Sequence, residues 1–357
     1  MASASRRIPS LDGLRAVSIV LVIVSHLLGT RGFPWGPRAL GTVGDFGYLG
    51  VKVFFVISGY LITRLLIAEH ERTGRISLRE FYVRRVWRIF PAFYVFIAAM
   101  LAAWAIGWIA LAPSDVLAAV TYTMNYHYER SWDLGHIWSL SIEEQFYLVW
   151  PFLFLWLGRA RVVSTSIVII ILALGCRAVA WFVLRSDNLV EEAYPCVMDS
   201  IAVGCLFAGL RERLDAWPRY LRFLRSPWFL LVPVVIAVAQ LPRFPAVEYT
   251  VAATVENLAI AVLVDRAVRC PDDLFGRALN ARPLVWLGTL SYSLYLWQEP
   301  FLNHVDETAV STFPLNVALL IACALASFYL VEQPVLRWRT RVNAARAAAA
   351  PSAIPTR

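Results

Sequence analysis

Apolar residues fall along this chain in long blocks separated by short polar ones. Val17 to Leu28, Val53 to Ile67 and Ile89 to Ala112, with their flanks, approach or reach the roughly 17–25 residues a helix needs to cross a hydrocarbon core. Segments of this kind recur near 14–30, 48–67, 88–109, 138–157, 165–184, 196–210, 227–241, 246–265, 284–303 and 313–332. The pattern predicts an all-α fold, a polytopic membrane bundle of about ten transmembrane helices. One membrane domain is expected over residues 1–340, followed by a disordered cytoplasmic tail over 341–357, with no further soluble domain.

The basic residues set the orientation. With a cytoplasmic N-terminus, the outside loops hold Arg31, Arg38, Arg130, Arg185 and Arg243, and most of the 33 Lys and Arg fall at cytoplasmic ends, loops and tails. Ten crossings then leave both termini cytoplasmic. Val116 to Tyr126 is apolar enough to suggest another span, but counting it would put Arg211, Arg213, Arg219, Arg222 and Arg225 outside. It reads instead as a peripheral or re-entrant outer segment, whose backbone must be satisfied by protein or a wet cavity.

Composition agrees. The chain is 59% hydrophobic and 16% charged, with mean hydropathy +0.61, against about 45–50% apolar and about 25% charged in soluble domains. The net charge of +8 is accounted for by topology, so no nucleic-acid partner is implied. The first segment carries Arg15 and His26 and no small-residue cleavage site, which excludes an ordinary cleaved signal peptide. Five cysteines without a CxxC pair suggest neither a disulfide framework nor a zinc site, and the five histidines show no metal-ligand spacing. No internal repeat supports an inverted-repeat transporter.

Several polar groups interrupt these apolar blocks. Arg15 and His26 lie eleven residues apart, nearly on one helical face and about 16 Å apart in height. An imidazole held at mid-bilayer depth is suited to taking and returning a proton, although bonding to a neighbouring helix is the competing use. Arg84, Arg85 and Arg88 share one turn and form a candidate phosphate clamp, at a membrane border where arginines also serve orientation. Lys52 stands near an outer helix end, where snorkelling is expected, and Ser58 and Gly59 suit close helix approach. Ser141 to Glu144 fits a capping box, and Glu143 and Glu144 at the outer mouth are candidates to orient an acceptor hydroxyl or His26. Asp199 lies just inside the sixth segment, and Tyr292, Tyr295 and Glu299 share a helix face. We take Asp199, Tyr295 and Glu299 as candidate substrate contacts.

Taken in order, these segments resemble acyltransferase family 3, bacterial membrane O-acyltransferases that decorate envelope glycans. The resemblance runs from Leu11 to about Arg337 and rests on several runs. These are the Arg15 and His26 pair, Phe-Val-Ile-Ser-Gly-Tyr, the Arg84-Arg85-x-x-Arg88 cluster with Pro91, Trp-Ser-Leu-Ser-Ile-Glu-Glu-Gln-Phe-Tyr, Asp199 with Gly204, and Val331-Glu-Gln-Pro334. Where many relatives read Tyr-Leu-Trp-His, this chain has Gln298, so a role for that histidine does not transfer. The esterase-like domain that some relatives append is expected to be lacking.

The resemblance implies an enzyme of the bacterial cytoplasmic membrane that binds membrane lipids, acetyl-CoA or another acyl-CoA as donor, and a carbohydrate acceptor. It implies no permanently bound cofactor. Arg15, Arg84, Arg85 and Arg88 are then candidates for the donor's phosphates, and His26 for a general base or a transient acyl carrier. Two other readings stay open, a transporter or flippase lined by Arg15 and His26, and an acyltransferase acting on a small molecule such as a macrolide.

Overall fold

The computed structural model describes residues 7–35, 45–240, 245–305 and 308–349, so Arg38 and Arg243 lie outside the described residues. It is all-helical. The principal helices are α1 (Pro9–Leu27), α2 (Asp45–Thr73), α3 (Leu78–Ala105), α4 (Ile137–Leu157), α5 (Val162–Ala178), α6 (Tyr194–Gly209), α7 (Leu231–Ala239), α8 (Ala253–Arg269), α9 (Arg282–Trp297), α10 (Leu315–Ala326) and α11 (Gln333–Ala349). A π-helical turn, Ser327–Glu332, joins α10 to α11. Each of the ten predicted segments falls on one helix or a run of adjoining helices.

Five helices among the described residues are long and apolar enough to cross a membrane, and a sixth qualifies if the bent pair Pro218–Arg225 and Pro227–Ala239 is one span. The shortfall from ten has local causes. Helices α6 and α9 are 16 residues each, about 24 Å at 1.5 Å per residue. Helix α4 is 21 residues but carries Glu143, Glu144 and Gln145. The outer faces suit hydrocarbon: Ile171, Leu172, Val183 and Leu184 all project from the α5 region into exposed positions. Such a continuous apolar exterior marks a membrane or interaction surface.

The centre is built on glycine. A Cβ on Gly59 of α2 would lie 2.0 Å from the Ile201 carbonyl oxygen, and one on Gly204 of α6 would lie 2.1 Å from that of Val56. The two backbones therefore meet directly, the small-residue packing expected where no solvent drives association. Helix α1 meets α9 the same way, since a Cβ on Gly288 would lie 1.8 Å from the Asp12 carbonyl oxygen. On its other side α1 meets α2, where a Cβ on Gly50 would lie 2.6 Å from the Ser18 carbonyl oxygen, so α1 is sandwiched between α2 and α9 with Arg15 and His26 half-buried.

The segment expected to be re-entrant forms the eight-residue helix Pro113–Val120, too short to cross, followed by a turn at Met124–Tyr126. Gln145 donates from Nε2 to the Tyr122 carbonyl at 2.8 Å and to Asn125 Oδ1 at 2.9 Å, so side chains of α4 satisfy its polar groups. At the other end, α11 runs on to Ala349, past residue 341 where the tail was expected to begin.

Candidate active site

Polar side chains inside the bundle collect at two levels, named here by the two ends of α1. At the His26 level, Nδ1 of His26 bonds the Val22 carbonyl at 2.8 Å. A carbonyl only accepts, so Nδ1 carries the proton and Nε2 is left with a bare lone pair. Nε2 faces Glu299 Oε1 at 3.7 Å, too far for a hydrogen bond. The other carboxylate oxygen is occupied: Glu299 Oε2 accepts from the His136 backbone N–H at 2.8 Å and from His136 Nδ1 at 2.9 Å.

Glu299 follows the end of α9 and His136 caps the start of α4, and both are buried. Tyr295 donates its hydroxyl to the His136 carbonyl at 3.1 Å and lies 2.6 Å from Ser139 Oγ, which locks α9 to α4. Trp132 donates from Nε1 to the Glu299 carbonyl at 3.2 Å and sets its ring edge-on to His26 and to His304. Burial pushes His304, a few residues past the end of α9, below its ordinary value. A cavity of about 440 Å³ opens over this group, lined among others by Tyr128, Arg130, Trp132, Trp138, Glu192 and Glu299. Oε1 of Glu299 and Nε2 of His26 thus remain free for one polar group placed between them.

The second level surrounds Arg15. Arg88 lies within electrostatic range of Arg15, Arg85 and Glu332. Glu143 lies within range of Arg85, Arg15 and Arg88 and accepts from Ser58 Oγ at 2.5 Å. Arg85 sits over the Tyr147 ring at 4.3 Å, and Tyr147 donates to Ser58 Oγ at 3.1 Å. Glu332 accepts from Ser293 Oγ. The two levels are about 10 to 16 Å apart by helical rise. Eleven residues separate Arg15 from His26, eight separate Arg88 from Phe96, whose ring packs against His136, and seven separate His136 from Glu143.

Several expectations are corrected. Glu143 and Glu144 sit with the arginines, not with His26, because α4 begins at Ile137 and carries them about two turns below His136. The carboxylate beside His26 is Glu299. Ser141 caps nothing, since its hydroxyl bonds back to the Ile137 carbonyl at 2.9 Å inside the helix. Arg84 leaves the cluster and pairs with Glu69 at 3.0 Å and Glu80 at 3.7 Å. Asp199 is fully buried in a two-point bridge to Arg177, at 2.8 and 2.9 Å, and also accepts from Thr254, so it is turned to internal partners and away from solvent. Lys52 does not snorkel but is buried against Glu256 at 2.5 Å.

Sequence reasoning passed over His136, although it heads the very run that drew attention to Glu143. It also passed over Trp132 and Glu192, which stand in helices too short to show a period, and took Arg130 only as a loop charge and Trp138 only as part of a motif.

The family model described as an acyltransferase domain matches residues 8–332. The chain is similar to the O-acetyltransferase OatA of Staphylococcus aureus, 29% identical over 92% of this chain and 57% of that protein. It is also similar to the putative peptidoglycan O-acetyltransferase YrhL of Bacillus subtilis, 30% identical over 92% of this chain and 55% of that protein. A third relative is the peptidoglycan O-acetyltransferase OatA of Listeria monocytogenes, 28% identical over 92% and 56%. The chain spans a little over half the length of these curated relatives. No solved structure matches it.

Proposed function

The chain belongs to the acyltransferase-domain family, and from that premise we propose that it is a multi-pass O-acyltransferase of the bacterial cytoplasmic membrane. It moves an acyl group, acetyl in the first instance, from acyl-CoA to a hydroxyl of a cell-envelope carbohydrate. The names of the relatives support an envelope glycan as acceptor. In this reading ten segments cross the membrane with both termini cytoplasmic, so the Arg15 level faces the donor and the His26 level faces the acceptor.

The observation that carries the reading is the state of His26. Its Nδ1–H is committed to Val22, its Nε2 is free, and a buried carboxylate stands 3.7 Å from that Nε2. Arg15, Arg85 and Arg88 hold the donor's phosphates by charge-assisted hydrogen bonds. The pantetheine arm then spans the interval between the two levels and presents the thioester carbonyl near His26.

An acceptor hydroxyl lying between Nε2 and Glu299 Oε1 gives its proton to Nε2 as its oxygen attacks that carbonyl. The new C–O bond forms, the C–S bond breaks, and the imidazolium returns the proton to the departing thiolate, so that coenzyme A leaves as the thiol. Glu299 stabilises the imidazolium in between, and His136 holds Glu299 in place by occupying its other oxygen. General-base assistance of this kind contributes about 10² to 10⁴ in rate.

Purified, detergent-solubilised protein should release free coenzyme A from acetyl-CoA in the presence of an envelope glycan and add one acetyl group to that glycan. His26→Ala should do neither. A folded His26→Ala variant with wild-type turnover would overturn the reading.

A further inference from the structure

The cavity above Glu299 has a chemical character that points to a class of acceptor. This inference rests on the acyltransferase reading just given and narrows it. Tyr128, Trp132 and Trp138 supply three aromatic surfaces to the wall, and Trp138 is held by stacking on Tyr48 at 5.9 Å. Aromatic faces receive the C–H faces of pyranose rings, and polar groups at the same wall orient them. Asn188 and Ser131 provide neutral polar groups.

The charges in the wall are the more telling feature. Arg130 is the one cation among the described lining residues, and it is already spent. It makes a two-point bridge to Glu192, with both contacts at 2.5 Å, and donates to the His127 carbonyl at 3.1 Å. Behind Trp138, Lys52 is likewise taken up by Glu256. Glu299 at the floor has one carboxylate oxygen held by His136 and the other without a hydrogen bond. A negatively charged group entering this cavity meets a carboxylate and, among the described lining residues, no unpaired cation.

We propose that this cavity is the acceptor subsite and that it selects an uncharged sugar ring, with the Arg130–Glu192 bridge and Glu299 together excluding anionic sugars. The bridge serves as a selectivity device because it cancels the positive charge that would otherwise attract a carboxylate. Like-charge juxtaposition of this kind costs enough to set a preference of about tenfold or more.

The test uses the full chain in detergent, acetyl-CoA, and pairs of oligosaccharides that differ only in charge. Each pair consists of an oligosaccharide bearing a carboxyalkyl ether and the methyl ester of the same molecule. Acetyl transfer should favour the ester by about tenfold or more in kcat/KM. Glu192→Gln, which frees Arg130, should narrow that ratio severalfold by improving the carboxylate form. Equal transfer to both members of each pair by wild-type protein would overturn the selectivity while leaving the transferase reading intact. No transfer to either, with no coenzyme A released, would remove the transferase reading and this inference with it. A wild-type preference that Glu192→Gln leaves untouched would overturn the role given to the bridge.

Discussion

Asp199 and Glu299 are carboxylates hidden to a similar degree, 0% and 5% exposed, and each stands beside an ionisable partner. Their coordination differs. Asp199 uses both oxygens on Arg177 and accepts again from Thr254, while Arg177 also donates to the Cys196 carbonyl at 2.5 Å. Glu299 uses one oxygen on His136 and leaves the other aimed at His26 across 3.7 Å. A buried charge is tolerated when it is paired and hydrogen-bonded, so the completed cluster reads as a structural clasp between α5, α6 and α8. The incomplete one, next to a cavity, reads as a site waiting for a ligand to complete it.

The contrast is sharpest at the two ends. His26→Ala should lower acetyl transfer by about 10² to 10⁴ while leaving thermal unfolding close to wild type, because it removes the base and no clasp. Transfer near the wild-type rate would erase the distinction. Asp199→Ala should do the opposite. It strands Arg177 in the interior and should cost about 3 to 5 kcal/mol of stability, read as a lowered unfolding temperature, with KM for donor and acceptor unchanged in the protein that folds. A selective rise in acceptor KM would return Asp199 to the binding site.

Smaller effects separate the arginines. Arg85→Ala and Arg88→Ala should each raise the KM for acetyl-CoA by about tenfold, the value of one charge-assisted contact. Arg84→Ala, whose guanidinium is already paired with Glu69 and Glu80, should shift that KM by less than about twofold. Equal effects at all three positions would restore the clamp of three adjacent arginines.

Much of this was legible in the sequence. Hydropathy located α1 to α10 but not α11, the interval from Arg15 to His26 set two levels on one helix, and the shared face of Tyr292, Tyr295 and Glu299 marked Glu299 as a candidate. What stayed hidden depends on pairing across distant segments. Asp199 looked available because Arg177, its partner, is 22 residues away on another helix. Glu143 looked close to His26 because Ser141 to Glu144 reads as a capping box, which puts the glutamates at the mouth of α4, whereas the helix already runs from Ile137 and carries them deeper. Much of the cavity wall comes from the irregular stretch at residues 128–131 and the short helices Trp132–Gly135 and Asp187–Glu192, which are too brief for a period to mark an inward face.

The most direct measurement is the turnover number of Glu299→Gln at saturating acetyl-CoA and acceptor, with the donor KM taken from the same experiment. The substitution keeps the shape of the side chain and removes the charge that stabilises protonated His26. We expect turnover to fall by about a hundredfold with the donor KM unchanged, since Glu299 stands at the other level from the arginines. Wild-type turnover in a folded Glu299→Gln protein would contradict the central claim that His26 works as a base supported by this carboxylate.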